Sequence, residues 1–163
     1  DALQLYADEN NVEVYIEKEI IIPRLNVRSF IDAMVLKDGA LYDIKTCNDY
    51  KWQSIFGKYG STDGIQNYMV QLGTYGLYFR ENGVKINKMA LLFYNKNNSR
   101  VKDVRVPRSY IDMAERYWLK VNESFKEGLP PIERGLAPVL DWECNKKYCS
   151  FFEACGGGIK GLD

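Results

Sequence analysis

The dipeptide Asp38-Gly39, set between two alternating apolar runs, constrains this chain more than any other feature. Asp-Gly suits the two-residue type I′ turn, whose central residues both need positive φ, so residues 27–47 are predicted to form a β-hairpin. The turn fixes a register in which Lys37 faces Ala40, Leu36 faces Leu41, Met34 faces Asp43 and Asp32 faces Lys45. Side chains alternate along a strand and opposed residues share a face. Asp32, Asp43 and Lys45 are therefore expected on one face, with Ile31, Ala33, Val35, Tyr42 and Ile44 turned the other way into a core. A slip of one residue would send Asp32 to the opposite face. Two carboxylates beside an ammonium, on the end of a rigid hairpin, make a site for a hard cation.

The rest of the composition narrows the chemistry. With 163 residues the chain is long enough for one domain with a substantial core and too short for two ordinary ones. The expected domain is 1–163, with a core over about 12–127 and a cysteine-containing tail over 128–163. No apolar run is long enough to span a bilayer, so no membrane partner is expected. The start lacks both an initiator Met and a signal-peptide pattern, which reads as a trimmed piece of a cytoplasmic protein. Lys plus Arg equals Asp plus Glu at 22 each, so a nucleic-acid partner must be held by a local patch. The absence of His removes His-based general bases, His-Glu zinc sites and Ser-His or Cys-His triads. Catalysis is left to carboxylates, Lys, Tyr or Cys.

In chain order, residues 2–10 read as a short helix, and 12–22 as a strand ended by Pro23 with Glu17 and Glu19 on one face. Residues 48–60 lack periodicity. Their Lys51, Trp52, Lys58 and Tyr59 suit gripping phosphates and stacking on bases, the alternative being a polar loop with buried aromatics. Candidate caps at Ser61, Thr62 and Asp63 precede a helix to about Arg80, with the stripe Ile65, Tyr68, Met69, Leu72 and Tyr75. Gln71 and Tyr75, four apart, share a face of it. Gly73 and Gly76 imply close packing against a sheet. Residues 88–94 and 101–106 read as strands. Residues 108–127 read as an amphipathic helix that buries Tyr110, Met113, Tyr117, Trp118, Val121 and Phe125.

The pair Phe30-Ile31-Asp32 and Asp43-Ile44-Lys45-Thr46, followed downstream by Gln71-Leu72-Gly73-Thr74-Tyr75, resembles the PD-(D/E)xK nuclease superfamily, and within it the RecB-type branch marked by Q-x-x-x-Y. The resemblance covers about residues 17–75. It implies an α/β, restriction-endonuclease-like fold, a mixed central sheet flanked by helices. It also implies a Mg²⁺- or Mn²⁺-dependent deoxyribonuclease, acting as an exonuclease. Asp32, Asp43 and the Ile44 main-chain carbonyl would be metal ligands, joined by Glu17. Lys45 would orient the attacking water, and Gln71 and Tyr75 would organise the site. The implied partners are DNA and proteins of a recombination, replication or CRISPR-type pathway, in a bacterium or a phage-infected one. A helical His or Glu common before the first strand in such enzymes has no counterpart here.

Cys144, Cys149 and Cys155 are spaced C-x4-C-x5-C. In a reducing compartment clustered thiolates favour a metal over a disulfide. AddB-type and CRISPR adaptation nucleases hold a [4Fe-4S] cluster with late cysteines and one early one. This chain differs in the first gap, x4 where x2 is usual, and in having Cys47 as its only further cysteine. The alternatives are an iron–sulfur cluster, zinc, or free thiols. Two readings compete with the nuclease: a nuclease-fold protein that binds nucleic acid without cutting, and a structural metal module.

Overall fold

A computed structural model describes residues 7–9, 12–128, 146–150 and 152–153. Its frame is a five-stranded mixed sheet in the order β1-β2-β3-β4-β5, flanked by helices. The strands are β1 (Glu13–Ile22), β2 (Val27–Lys37), β3 (Ala40–Cys47), β4 (Lys88–Asn95) and β5 (Val101–Val106). The β3/β4 pair is parallel and the other neighbours are antiparallel. The helices are α1 (Asp49–Phe56), α2 (Gln66–Glu81) and α3 (Ser109–Lys126). Among the described residues no helix is long and apolar enough to cross a membrane. Residues 7–9 are helical, and the rest of the expected 2–10 helix lies outside the described residues.

The hairpin forms as the Asp-Gly turn dictates. Asp38 and Gly39 both have positive φ, 50° and 75°, and the ladder runs Lys37↔Ala40, Leu36↔Leu41, Val35↔Tyr42 and Met34↔Asp43. It ends there, and the expected Asp32 to Lys45 pairing is not part of it. The core face is also the reverse of the one expected. Met34, Leu36, Leu41 and Asp43 are buried, while Ala33, Val35, Tyr42 and Ile44 are only half-buried and Ile31 alone of the expected set is fully so. The covering layer explains the inversion, because α2 lies over the face that carries the charged residues.

A second departure sits in β1 and β2. The ladder between them skips Glu17 and Asp32, which fall between the pairs Ile16↔Ala33 and Lys18↔Ile31. Glu17 has φ 49°, a left-handed conformation rare for a residue with a Cβ. The burial rhythm changes phase across this point. Ile20, Ile22, Val27 and Ile31 are buried on one side of it, and Met34 and Leu36 on the other.

Above the sheet the layers are α2 and then α3. Gly73 permits the close approach of the two helices: a Cβ there would lie 2.2 Å from the Tyr110 carbonyl oxygen and 3.3 Å from the Ala114 Cβ. The expected contact of Gly73 with the sheet is thus a contact with α3; Gly76 faces Ile111 of α3 and Met89 of β4 together. The α3 stripe is correspondingly rotated. Ile111, Ala114 and Ser124 are the buried positions, whereas Phe125 is 83% exposed. Ion pairs from Arg80 to Asp112 and Glu115, both 2.8 Å, and from Arg24 to Glu81 and Glu115 bind the layers at their rim.

Residues 48–60 hold a helix that their lack of periodicity did not announce. The eight-residue α1 is capped by Asn48, whose side chain accepts from the Lys51 N–H at 2.9 Å, and Asp49 in its first turn complements the helix dipole. Trp52 and Ile55 are buried, and Phe56 packs between Trp52 and Phe93.

Candidate active site

Asp43 enters the site from β3, at the last position where β2 is still paired with it. It is 1% exposed, and neither carboxylate oxygen accepts a hydrogen bond within the described residues. Lys45 Nζ lies 3.0 Å from Oδ2, a close charge contact. The Lys45 ammonium donates to Gln71 Oε1 at 2.7 Å. It also sits 5.2 Å above the Tyr68 ring. Burial pushes the Asp43 carboxyl above its ordinary value; the Lys45 ammonium pulls it back and the Asp32 charge pushes it further. Desolvation is the larger effect, so one ammonium does not compensate for taking this carboxylate out of water.

Asp32 is exposed, at the skipped step of the β1/β2 ladder. It is near enough to act electrostatically on both Asp43 and Tyr75. Tyr75 is 1% exposed and its hydroxyl donates to the Phe30 carbonyl at 3.1 Å. Burial, with the charges of Asp43 and Asp32, pushes its phenol up to about 12, so it remains a donor at neutral pH. Gln71 and Tyr75, one turn apart on α2, therefore face the same end of the hairpin as the carboxylates. Ile44 lies opposite Leu92 in the β3/β4 ladder, one residue past the end of the β2/β3 ladder.

Glu17 does not join them. It is exposed, at the left-handed position of β1, and among the described residues no three Cys, Asp or Glu side chains converge as a metal-ligand group. Its neighbour Glu19 is paired with Arg28. Asp32 and Asp43 are left as the carboxylates of the candidate set.

The expected nucleic-acid contacts divide. Trp52 is 7% exposed and packs tilted against Phe56, so it belongs to the core and offers no face to a base. Lys51 donates to the Gly64 carbonyl at 2.9 Å and lies 5.9 Å from the Tyr68 ring. It shares that ring with Lys45, so the two ammonium groups border one patch. Lys58 and Tyr59 form a cation–π pair at the tip beyond α1, with Tyr59 89% exposed.

Cys47, at the end of β3, is a buried free thiol whose pKa is raised by burial and by Asp49. Cys149 is a half-buried free thiol. Cys144 and Cys155 lie outside the described residues. Sequence reasoning overlooked Tyr68 as a platform for the ammonium groups and Asn67 altogether. The signal was present in the spacing, because Asn67, Gln71 and Tyr75 recur every four residues and so line one face of α2.

No family model matches the sequence, and no curated protein matches it. Among solved structures the chain is similar to the crystal structure of SSO0001, with 18% identity and a TM-score of 0.45, over 98% of this chain and 67% of that one.

Proposed function

We propose that this chain is a restriction-endonuclease-like, divalent-metal-dependent deoxyribonuclease of RecB type, acting on strand ends as an exonuclease. One observation carries the reading: Asp43 is a buried carboxylate whose oxygens meet, among the described residues, no donor but the Lys45 ammonium at 3.0 Å. That one ammonium does not offset the desolvation, and a carboxylate so placed calls for a further cation. Hard oxygen ligands select Mg²⁺ or Mn²⁺. Asp32, Asp43 and the Ile44 carbonyl are the groups that would hold it. When bound, such an ion supplies Lewis-acid polarisation of a phosphate and acidifies a water.

The chain's own residues supply the rest. Lys45 presents a fixed positive charge beside the carboxylates, where negative charge would build on the phosphate oxygens. Gln71 holds that ammonium in place. Tyr75 pins the β2 backbone next to Asp32 through the Phe30 carbonyl. Lys51, near the same Tyr68 ring, suits a neighbouring phosphate.

The second reading, nucleic-acid binding without cleavage, is favoured by one feature, the lack of a third carboxylate among the described residues. Digestion of end-labelled single- and double-stranded DNA with Mn²⁺, Mg²⁺ or a chelator separates the two. The proposal expects metal-dependent loss of label; binding with no cutting under any metal would give the second reading the site.

A further inference from the structure

Among the described residues the buried side-chain oxygens without a hydrogen-bond partner are those of Asp43 and Asn67 Oδ1. Asn67 lies beside Gln71 and Tyr75 in the cleft lining, and Asp43 reaches the same pair through Lys45 and its charge. Asn67 lines a cleft of about 280 Å³ whose other walls include Gln71, Thr74 and Tyr75 of α2 and Tyr117 and Trp118 of α3. Most of the polar groups there are internally satisfied. The Trp118 indole N–H donates to Thr74 Oγ1 at 3.0 Å, and the Thr74 hydroxyl donates to the Val70 carbonyl at 3.1 Å. Gln71 Oε1 accepts from Lys45. The Asn67 oxygen is the acceptor left over.

We infer that this cleft receives one unstacked nucleobase of the strand whose phosphate lies at Asp43 and Lys45. The inference deepens the proposed nuclease reading, on which it rests for the presence of a strand at that site. The cleft is at the lower limit of ligand pockets, roughly 300 Å³, the scale of a small ring system rather than of a larger ligand. Chemistry favours a nucleobase over a purely apolar ligand. Tyr117 and Trp118, edge to face with centroids 5.0 Å apart, line the cleft with aromatic surface on which a base can stack. The lone Asn67 acceptor then meets an N–H on the edge of the base, as expected where a base is read outside the duplex. Gln71 connects the two sites, lining the cleft on one side and holding Lys45 on the other. Seating a base and positioning the ammonium are thereby coupled through one side chain.

The test compares a single-stranded oligonucleotide with one carrying abasic positions, binding being measured by fluorescence anisotropy in Ca²⁺ and cleavage separately in Mn²⁺. The intact strand should bind on the order of tenfold more tightly than the abasic one, as expected for one stacked base. Tyr117→Ala and Asn67→Leu should each remove most of that preference. Tyr117 is half-buried and Asn67 is at the cleft wall, and circular dichroism checks that both variants fold. Equal binding of the two strands, a preference that survives in both variants, or no binding at all would overturn the inference. Cleavage by wild type without discrimination against abasic sites would overturn the cleft while leaving the nuclease reading in place. Base-dependent binding lost in both variants, with no cleavage in Mn²⁺, would support the cleft and end the nuclease reading.

Discussion

The two ends of the β2/β3 hairpin are held in opposite ways. At the turn, the Asn87 side-chain N–H₂ donates to the Asp38 carbonyl at 2.7 Å and the Asn87 N–H donates to the Gly39 carbonyl at 2.9 Å. The ladder there is unbroken from Lys37↔Ala40 to Met34↔Asp43. At the far end the ladder stops, Asp32 falls in a skipped step, and Asp43 is buried with the Lys45 ammonium beside it and no backbone donor. Backbone pairing satisfies the tied end; side-chain chemistry is concentrated at the released one. Releasing the strands lets Asp43 and Lys45 gather under α2, where the burial of Asp43 is unfavourable to stability.

Substitutions at the two ends should therefore differ in kind. The largest effect is expected from Asp43→Asn. It should abolish metal-dependent cleavage, a loss exceeding that of any other variant here, while raising folding stability by about 1 kcal/mol at neutral pH, because a poorly compensated buried charge is removed. Urea unfolding across pH checks the sign. Between the ordinary carboxylate value of 3.8 and the raised folded-state value, the folded wild type binds a proton that the unfolded chain releases. Wild-type stability from this group is thus fully present below 3.8 and falls as pH rises through that window. The advantage of Asn should be greatest above the window and vanish below it. A destabilised Asn variant at neutral pH would mean that Lys45 compensates for the burial after all.

Lys45→Ala comes next. Cleavage should fall on the order of a hundredfold to a thousandfold, as for loss of one preorganised charge contact to a developing oxyanion. Mn²⁺ affinity measured by calorimetry should be largely kept, since both carboxylate ligands remain. A variant that cuts as well as wild type would remove Lys45 from the chemistry.

At the tied end, Gly39→Ala should act on stability alone. Its φ is 75°, and an added Cβ would stand 2.4 Å from the Lys85 carbonyl oxygen. The left-handed conformation and the clash together are expected to remove about 2 kcal/mol in urea unfolding. Cleavage per folded molecule should not change. An unaffected stability would show that the turn is less tightly held than its hydrogen bonds imply.

The smallest effect is expected from Tyr75→Phe, which removes the hydroxyl and its hydrogen bond to the Phe30 carbonyl. About 1 kcal/mol of stability should be lost, with a modest fall in cleavage as the Asp32 end of β2 loosens. A change only in stability, with cleavage intact, would make Tyr75 a purely structural residue.

Much of this was legible from the sequence where the local code was strong. Asp38-Gly39 allows few turns, and the turn set the register to Asp43. The strands 88–94 and 101–106 and the helix starting near Asp63 follow from apolar periodicity and Pro, Gly and Asp punctuation. The core face was misjudged because a charged strand face normally turns to water, whereas α2 covers this one. The skipped step at Glu17 and Asp32 carries no local signal, since Glu has no preference for positive φ. Helix α1 was missed because eight residues show too little period, although Asn48 and Asp49 are a fair cap. In α3 the large aromatics suggested the buried stripe, but the close approach at Gly73 turns small residues such as Ala114 inward. The cysteine spacing remains an expectation, with Cys144 and Cys155 outside the described residues.

The central claim is that the released end of the hairpin is a metal-dependent phosphodiester-cleaving site. Its most direct test is the rate of label release from end-labelled DNA by wild type and Asp43→Asn, each in Mn²⁺ and in chelator. The account predicts release by wild type in Mn²⁺, none in chelator, and none by the variant under either condition. Cleavage that persists in chelator, or an Asp43→Asn variant that cuts at the wild-type rate, would contradict it.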